Sequence, residues 1–251
     1  DASRMRAPLS RMQARLVFIQ ELNPGKPLYQ IPTAFRIFGP IDSAQLERCL
    51  GELVERHHVL RSKVVYENDV AISVVDDSIH IPLERLDFSN LPPDDRDKAV
   101  MQALETIANT PMNLHTGPLI RFVLATKSLD ESVFFLMPHH IVWDGASHDI
   151  FLKELDTLYR AYSEGKPSPL RAPKIQYTDF SAWHEAWLQG AALTEDLHFW
   201  KEKLKGDLPP ISLPTDRPRP AQMSFSGNTA YWTLGNVEVN ALTELGRASG
   251  S

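Results

Sequence analysis

Two adjacent histidines in the middle of the chain are the residues best suited to chemistry. His139 and His140 follow a short apolar run over residues 133–138, and Asp144 and Gly145 come just after them, before a segment with helical periodicity. This spacing places an imidazole at the end of a buried strand, on the turn into a helix, where open α/β sheets tend to hold their chemistry. Because an imidazole titrates near neutrality, it can accept a proton from an attacking amine or alcohol.

Two other interpretations compete with catalysis. A metal site is disfavoured because His140 and Asp144 straddle a turn and no third ligand lies at a typical spacing. A purely structural role, with His139 and His140 satisfied by backbone groups and Asp144 starting the helix, is the more common outcome for a pair of histidines. A structural role is less favoured here because two histidines and an Asp-Gly pair lie beside an apolar strand. Burying that many polar groups costs free energy, and a segment with only a structural role would be expected to avoid this cost. The catalytic interpretation is therefore favoured.

No covalent nucleophile is predicted. The sequence contains no Gly-x-Ser-x-Gly segment. The single cysteine, Cys49, shares one helical face with apolar residues between Leu46 and Val54, which predicts a small buried hydrophobe. A direct acyl transfer, assisted by an imidazole and by a group that stabilises the oxyanion, therefore fits the residues better than a catalytic triad.

Strand and helix patterns alternate around the motif, which predicts an α/β sandwich whose sheet is at least partly buried. Asp42 is the predicted N-cap of one helix, with Gln45 completing a capping box, and Ser147 is the predicted N-cap of another. The predicted elements are strands over 29–38, 119–126 and 132–137, a hairpin over 64–75 that turns at 67–69, and helices over 42–56, 94–109 and 147–163.

The character of the sequence changes after Gly165. Prolines cluster in residues 166–174 and again in residues 208–220, and both stretches are expected to be extended connectors because proline cannot donate to a β-ladder. Two short helices, over residues 179–188 and 194–204, are predicted between them. We place a boundary near residue 175, which gives an N-terminal lobe over residues 1–175 and, over residues 176–251, a linker and the beginning of an incomplete C-terminal lobe.

Composition and charge argue against two classes of partner. The formal net charge is −6 and the basic residues are scattered, so nucleic-acid binding is not expected. The longest apolar runs are far shorter than a membrane span, and the chain starts with no signal peptide. One cysteine is consistent with a reducing compartment. We expect a cytoplasmic piece of a longer polypeptide.

The His-His-x-x-x-Asp-Gly motif of residues 139–145 resembles the active-site motif of the condensation domains of nonribosomal peptide synthetases, which belong to the chloramphenicol acetyltransferase-like acyltransferases. The resemblance implies a lobe of the chloramphenicol acetyltransferase-like α/β sandwich with a mixed sheet, and a truncated second lobe. Other segments are similar to further family motifs in the family's order, which makes the combination highly specific. These segments are residues 9–16 (first motif), 56–62 (second), 177–183 (fourth) and the proline-rich residues 213–220.

The chain departs from the family pattern at four positions. Val17 stands where the first motif has an aromatic residue, and Met12 replaces its alanine. His58 replaces the usual glutamate of the second motif, and Trp143 occupies a position where serine is common in peptide-forming members. We interpret these differences as subclass variation that affects the choice of donor or acceptor, because the motif core is intact.

The resemblance implies roles for five residues. His140 would face the reaction centre, either as a general base or by positioning and stabilising the attacking α-amino group, while His139 would be structural. Asp144 would point away from the substrate and pair with Arg61, and losing one partner of such a buried ion pair costs roughly 3–5 kcal/mol. Gly145 would present its N–H to the oxyanion, or would simply be a tight-turn glycine. No metal and no directly bound cofactor are implied.

The substrates implied by the resemblance are acyl groups tethered to carrier proteins through phosphopantetheine. The expected activity is acyl transfer from a donor thioester to the amine of a carrier-bound acceptor, in nonribosomal peptide or hybrid polyketide–peptide biosynthesis. The expected partners are donor and acceptor carrier domains, peptidyl or acyl, together with neighbouring synthetase domains. Turnover by the isolated chain is not expected, because part of the substrate tunnel would be missing.

Several alternatives stay open within the same family. An ester-forming or starter-acylating variant would use the same histidine, and a non-catalytic recruitment module would share the fold but would be expected to have a degraded motif. An epimerization domain carries the same motif, but its version usually continues with a Val-Ser-Trp-type sequence, whereas this chain has Ala146-Ser147-His148. A cyclization domain would replace the two histidines with aspartates.

Overall fold

The computed structural model describes residues 5–77, 79–218, 220–221, 223–225, 227 and 229–250. They form two compact units, Asp1–Lys203 and Leu204–Ser251. The first unit contains the histidine motif and every strand found among the described residues. The helix described in the second unit, α7 (Asn236–Ser249), exposes its apolar side chains and ends at Gly250 in the left-handed conformation.

Two sheets organise the first unit. The larger sheet has the strand order β2-β7-β6-β5, with antiparallel pairing except between the parallel strands β5 and β6, so the implied mixed sheet is confirmed. The smaller sheet is antiparallel with the order β1-β4-β3. The strands are β1 (Arg6–Pro8), β2 (Thr33–Phe38), β3 (Ser62–Glu67), β4 (Val70–Val75), β5 (Leu83–Asp87), β6 (Ile120–Ser128) and β7 (Glu131–Pro138).

Helices cover both faces of the larger sheet, which confirms the predicted α/β architecture. Helices α2 and α4 contribute to the main core on one face, and α3 packs on the other. The helices of this unit are α1 (Arg11–Glu21), α2 (Ser43–Arg56), a short 3₁₀ helix (His58–Arg61), α3 (Pro93–Ala108), α4 (Gly145–Ser163), α5 (Tyr177–Leu188) and α6 (Ala191–Lys203).

Strand β7 leads directly to the histidines and is buried on both faces. Phe134 and Leu136 join the core shared with α2 and α4, whereas Phe135 and Met137 join the core shared with α3. A strand covered on both faces reads as a continuous apolar run, which is why the segment before the histidines shows no alternation. Such burial fixes the position of the strand end from which His139 and His140 emerge.

Most predicted elements are confirmed, including the hairpin, which turns through Asn68 and Asp69 with φ of 50° and 64°. Cys49 is fully buried, as predicted, and burial raises the pKa of its thiol to about 11. The predicted strand over 29–38 is too long: Tyr29 has φ of 58°, Pro32 lacks an N–H, and the strand begins at Thr33.

The predicted capping box of α2 is wrong in one respect. Asp42 is the N-cap and accepts the N–H groups of Ala44 and Gln45. The Gln45 amide does not return to the cap, because it donates to the Tyr159 carbonyl and the Ser163 hydroxyl of α4. Tertiary packing between two helices therefore takes precedence over the local motif.

The compact units of this chain divide after Lys203, later than residue 175. The reason is that α5 is tied to the first unit: the Tyr177 hydroxyl is 2.9 Å from the Ser10 hydroxyl, and Arg11 forms an ion pair with Glu185. The division into an N-terminal lobe over residues 1–175 and a linker with the beginning of a C-terminal lobe over residues 176–251 stays a prediction. Within the described ranges, no helix combines the length and apolar character needed to cross a membrane.

Candidate active site

The end of β7 is clamped between two other segments. The N–H of His139 donates to the Leu119 carbonyl over 2.8 Å, and the N–H of His140 donates to the Tyr29 carbonyl over 2.7 Å. Tyr29 can present its carbonyl in this way because its backbone is in the left-handed conformation, with φ of 58°. The loop that carries the histidines is therefore fixed by backbone hydrogen bonds on both sides.

The ring of His140 is held in one orientation. Its Nδ1 lies 2.8 Å from the backbone carbonyl of Trp143. A carbonyl can only accept, so Nδ1 carries a proton and, in the neutral ring, Nε2 carries the lone pair. His140 is exposed and lines a cavity. The arrangement presents an oriented imidazole base, held by a backbone contact three residues away.

His139 has a different environment from its neighbour. Its side chain is 1% exposed, and its Nδ1 accepts the N–H of Ile141 over 3.1 Å. Burial, reinforced by the nearby His140, lowers the pKa of His139 to about 4. A ring whose Nδ1 accepts a backbone N–H must be uncharged, so this hydrogen bond and the low pKa agree. His139 thus braces the loop from inside the core.

This buried neutral histidine makes folding sensitive to acid. The ordinary pKa of 6.5 applies in the unfolded chain and a pKa of about 4 in the folded one, so the unfolded state binds the proton more strongly. The neutral His139 therefore leaves the free energy of unfolding at its full value above pH 6.5. As the pH falls towards 4, the unfolded chain takes up the proton and the free energy of unfolding decreases by about 2–3 kcal/mol. We expect His139→Asn, which keeps an acceptor for Ile141, to remove this contribution, so that urea unfolding at pH 7.5 and pH 4.5 differs less in the variant. An equal pH dependence in the two proteins would contradict a buried neutral His139.

Asp144 is the N-cap of α4, a position predicted for Ser147. Its Oδ1 accepts the N–H of Ser147 over 2.8 Å and the Ser147 hydroxyl over 2.7 Å, while Ser147 Oγ accepts the N–H of Asp144. The Ser147 hydroxyl, followed by its N–H, lowers the pKa of Asp144. The prediction of Ser147 as the cap is therefore wrong, because the extended Asp144 begins the helix and Ser147 completes a capping box.

The implied ion pair between Asp144 and Arg61 is absent from the described residues. Arg61 donates instead to the carbonyls of Val54, Glu55 and Asp76 and to the carboxylate of Asp77, the last over 3.2 Å. The carbonyls of Val54 and Glu55 belong to the C-terminal turn of α2, where unpaired carbonyls attract a guanidinium. Arg61 therefore secures the end of α2 and lies outside the histidine site.

Gly145 is the first residue of α4, and a tight turn does not explain why glycine occupies this position. Its φ is not in the positive range, and a Cβ at this position would meet nothing within 4 Å. Neither backbone strain nor packing against the described chain requires glycine here. At the first position of a helix the N–H has no intrahelical acceptor, so it can bind an external oxygen.

Helix α1 supports the histidine loop through Gln13, a residue for which the sequence predicts no role. Gln13 is 3% exposed, and its Nε2 donates to the Ile141 carbonyl over 3.0 Å. Its Oε1 accepts the N–H of Ser10, and the Ser10 hydroxyl meets Tyr177 of α5. This chain of contacts joins α1, the loop and α5. The only signal for it in the sequence is that Gln13 and Tyr177 each fall in a family motif.

A cavity of about 490 Å³ opens beside His140. Its walls combine the segments that resemble the first, second, active-site and fourth motifs, although these are far apart in sequence. Among the described residues, no group of three or more His, Cys, Asp or Glu side chains is arranged to hold a metal ion. The lining residues are Met12, Gln13, Arg15, Leu16, Tyr29, Val59, His140, Ile141, Val142, Trp143, Asp144, Ser147 and Tyr177.

The predicted site residues are thus only partly brought together. His140 and Asp144 line the cavity, Gly145 follows at the start of α4, and His139 lies in the core behind them. Arg61 borders a different recess. Tyr29 is not among the predicted site residues, because nothing in its sequence context signals a left-handed residue.

Comparison with known proteins places this site in a family. The model of the condensation domain matches residues 3–251. Chondramide synthase cmdD of Chondromyces crocatus is 34% identical over 243 residues, which are 97% of this chain and 6% of that protein. Malpinin synthetase of Mortierella alpina is 36% identical over 227 residues, 90% of this chain and 3% of that protein. The chain therefore spans a small part of these curated relatives.

Solved structures agree on the fold. The starter condensation domain of rhizomide synthetase RzmA superposes with a TM-score of 0.72 at 21% identity, over 79% of this chain and 47% of that one. The X-domain in its complex with OxyB from teicoplanin biosynthesis gives a TM-score of 0.76 at 24% identity, over 86% and 47%. The fold is the chloramphenicol acetyltransferase-like one, and this chain covers about half of each solved domain. The chain belongs to the condensation domain family.

Proposed function

We propose that this chain supplies the catalytic histidine of a condensation domain that forms amide bonds between carrier-bound substrates. The observation that carries the proposal is the hydrogen bond from His140 Nδ1 to the Trp143 carbonyl, which leaves the Nε2 lone pair for a proton beside the cavity. A merely structural histidine would be expected in the core, as His139 is. General base catalysis by a positioned histidine typically contributes about 10²–10⁴-fold to a rate.

The proposed reaction is a direct transfer. The amine nitrogen of the acceptor attacks the thioester carbonyl carbon of the donor and forms a C–N bond, and the carbonyl oxygen becomes an oxyanion. His140 Nε2 takes the proton that the nitrogen loses. The intermediate collapses, the C–S bond breaks, and the departing thiolate takes this proton back from His140, which gives an amide, a free phosphopantetheine thiol and a neutral imidazole. No covalent acyl-enzyme is formed, consistent with the raised pKa and burial of Cys49.

Oxyanion stabilisation is proposed to come from the start of α4. The N–H of Gly145 has no acceptor within the helix, and the space where a Cβ would lie is open. A substrate oxygen can therefore approach this backbone closely. Asp144 serves this arrangement indirectly, because it caps α4 and fixes the turn between His140 and the helix.

The experiment that tests the function uses the full natural polypeptide that contains residues 1–251, since the isolated chain is expected to be inactive. A donor carrier loaded with an aminoacyl thioester and an acceptor carrier loaded with another amino acid are mixed with it. Intact-protein mass spectrometry should show the acceptor carrier gaining the mass of the donor acyl group, while the donor carrier returns to its free thiol.

Two changes of substrate separate the alternatives. If a hydroxy-acyl acceptor reacts and the aminoacyl acceptor does not, the domain forms esters. If an acyl-coenzyme A donor reacts in place of the loaded carrier, it acylates a starter unit. A polypeptide that binds both carriers but transfers nothing would overturn the proposal and indicate a recruitment module.

A further inference from the structure

A second, smaller recess adjoins the cavity at His140. Its volume is about 100 Å³, and it lies between the 3₁₀ helix and the first turns of α4, where it is partly open to solvent. Val59, Val142, Trp143 and Ser147 line both spaces and so form the wall between them. The residues that line the recess are His57, Val59, Leu60, Val142, Trp143, Ser147, Ile150 and Phe151.

Trp143 is the largest part of this wall. Its side chain is 6% exposed, and its ring packs edge-on against Phe151, with the ring centroids 5.2 Å apart. It also contacts His148, with the ring centroids 6.2 Å apart. The indole is therefore held in place by neighbours on α4, and a substrate cannot displace it without disturbing the core.

The chemistry of the recess is apolar. Leu60, Ile150 and Phe151 contribute hydrocarbon surface. The two polar residues have partners elsewhere: His57 Nε2 is 2.6 Å from a Glu154 carboxylate oxygen, and Ser147 is bound to Asp144. A space whose polar groups are already satisfied favours an aliphatic group over a charged or polar one.

We propose that Trp143 is a specificity-determining residue, which closes this recess to the substrate and so restricts transfer to aminoacyl groups with small side chains. Removing the indole would join the recess to the cavity and create a subsite for a branched aliphatic side chain. The inference rests on the proposed function. It concerns a side chain of an aminoacyl thioester, and that thioester is either the donor or the acceptor.

The test compares wild type with Trp143→Leu and Trp143→Phe in the full natural polypeptide. One arm offers alanyl and leucyl donors to a glycyl acceptor, and the other offers a glycyl donor to alanyl and leucyl acceptors. One of the two arms varies the aminoacyl group that Trp143 restricts. In that arm the ratio of leucyl to alanyl transfer rates should rise about tenfold or more in Trp143→Leu, because a difference of a few methylene groups in an apolar pocket changes substrate selectivity by such factors. Trp143→Phe, which keeps an aromatic ring, should give a smaller rise.

A second substitution that fills the recess again distinguishes a loss of side-chain specificity from a general loss of activity. Ile150 is 51% exposed and lies on the outer wall of the recess, so Ile150→Trp can occupy that space without touching His140. In the Trp143→Leu background it should return the ratio towards the wild-type value, and alone it should leave alanyl transfer unchanged. Thermal unfolding of each variant identifies those that fold.

Three results would overturn the inference. Wild type could transfer alanyl and leucyl groups equally well in both arms. A folded, active Trp143→Leu or Trp143→Phe variant could keep the wild-type ratio in both arms. Finally, wild type could transfer nothing in either arm, which would overturn the proposed function together with this inference, whereas the first two results leave the proposed function intact.

Discussion

Replacing His140 with alanine is expected to lower the rate of acyl transfer by about 10²–10⁴-fold, the usual contribution of a positioned general base. The reason is that His140 Nε2 is the proposed proton acceptor, oriented by the bond from Nδ1 to the Trp143 carbonyl. The measurement is the initial rate at which the loaded acceptor carrier gains the donor acyl mass, in the full natural polypeptide that contains residues 1–251.

The loss should not come from unfolding. His140 is exposed and its replacement removes one hydrogen bond, so the free energy of unfolding should change by only about 1 kcal/mol. His198→Ala is a matched control, because this exposed histidine of α6 does not line the cavity, and it should transfer at the wild-type rate. Transfer by a folded His140→Ala variant at the wild-type rate would exclude His140 as the catalytic residue.

A second substitution distinguishes a base from a group that only positions the amine. His140→Gln can place its amide oxygen near the position of Nε2, where it can accept a hydrogen bond from the amine, but it has no basic nitrogen. If proton transfer is the role of His140, glutamine should be as slow as alanine. If His140 acts mainly through hydrogen bonding to the attacking amine, glutamine should recover part of the lost rate.

The order of strands and helices around the site is readable from the sequence because each element shows its own pattern. Val133 to Pro138 is a short apolar run that ends in polar residues, which is what a strand buried on both faces must look like. Asp42 precedes an amphipathic segment, and a side chain that accepts backbone N–H groups is needed at that point. Local chemistry decides such features, so one sequence suffices.

Contacts between distant segments are not readable in this way. Gln13 reaches the Ile141 carbonyl across 128 positions, and nothing local to either residue indicates the other. Gln45 satisfies the capping-box pattern and yet binds α4, because two helices pack together there. The partner of Arg61 is a further case: the family resemblance implies Asp144, whereas its hydrogen bonds lead to the end of α2 and to Asp77.

Arg61 is therefore expected to stabilise the fold independently of Asp144. Its side chain is 9% exposed and donates to three backbone carbonyls as well as to Asp77, whose side chain is 80% exposed. Arg61→Ala removes the donor from the buried Val54 carbonyl and from two partly buried carbonyls, and should cost about 3 kcal/mol in the free energy of unfolding. Asp144→Ala removes an N-cap and should cost about 1 kcal/mol.

The two costs should add in the double variant, because the two residues share no partner, and sites without shared partners are additive to about 0.5 kcal/mol. Urea unfolding of the wild type, both single variants and the double variant measures the energetic coupling between Arg61 and Asp144. If the two residues formed a direct ion pair, the second substitution would lower the free energy of unfolding much less once the first was present. Arg61→Lys is a further test. Lysine keeps the charge, but its single ammonium nitrogen cannot reach all the carbonyls that the three guanidinium nitrogens of Arg61 bind, so it should recover little of the lost stability if carbonyl binding is the role of Arg61. Full recovery of stability by lysine, together with a strong energetic coupling between positions 61 and 144, would indicate that Arg61 and Asp144 form the ion pair that the family resemblance implies.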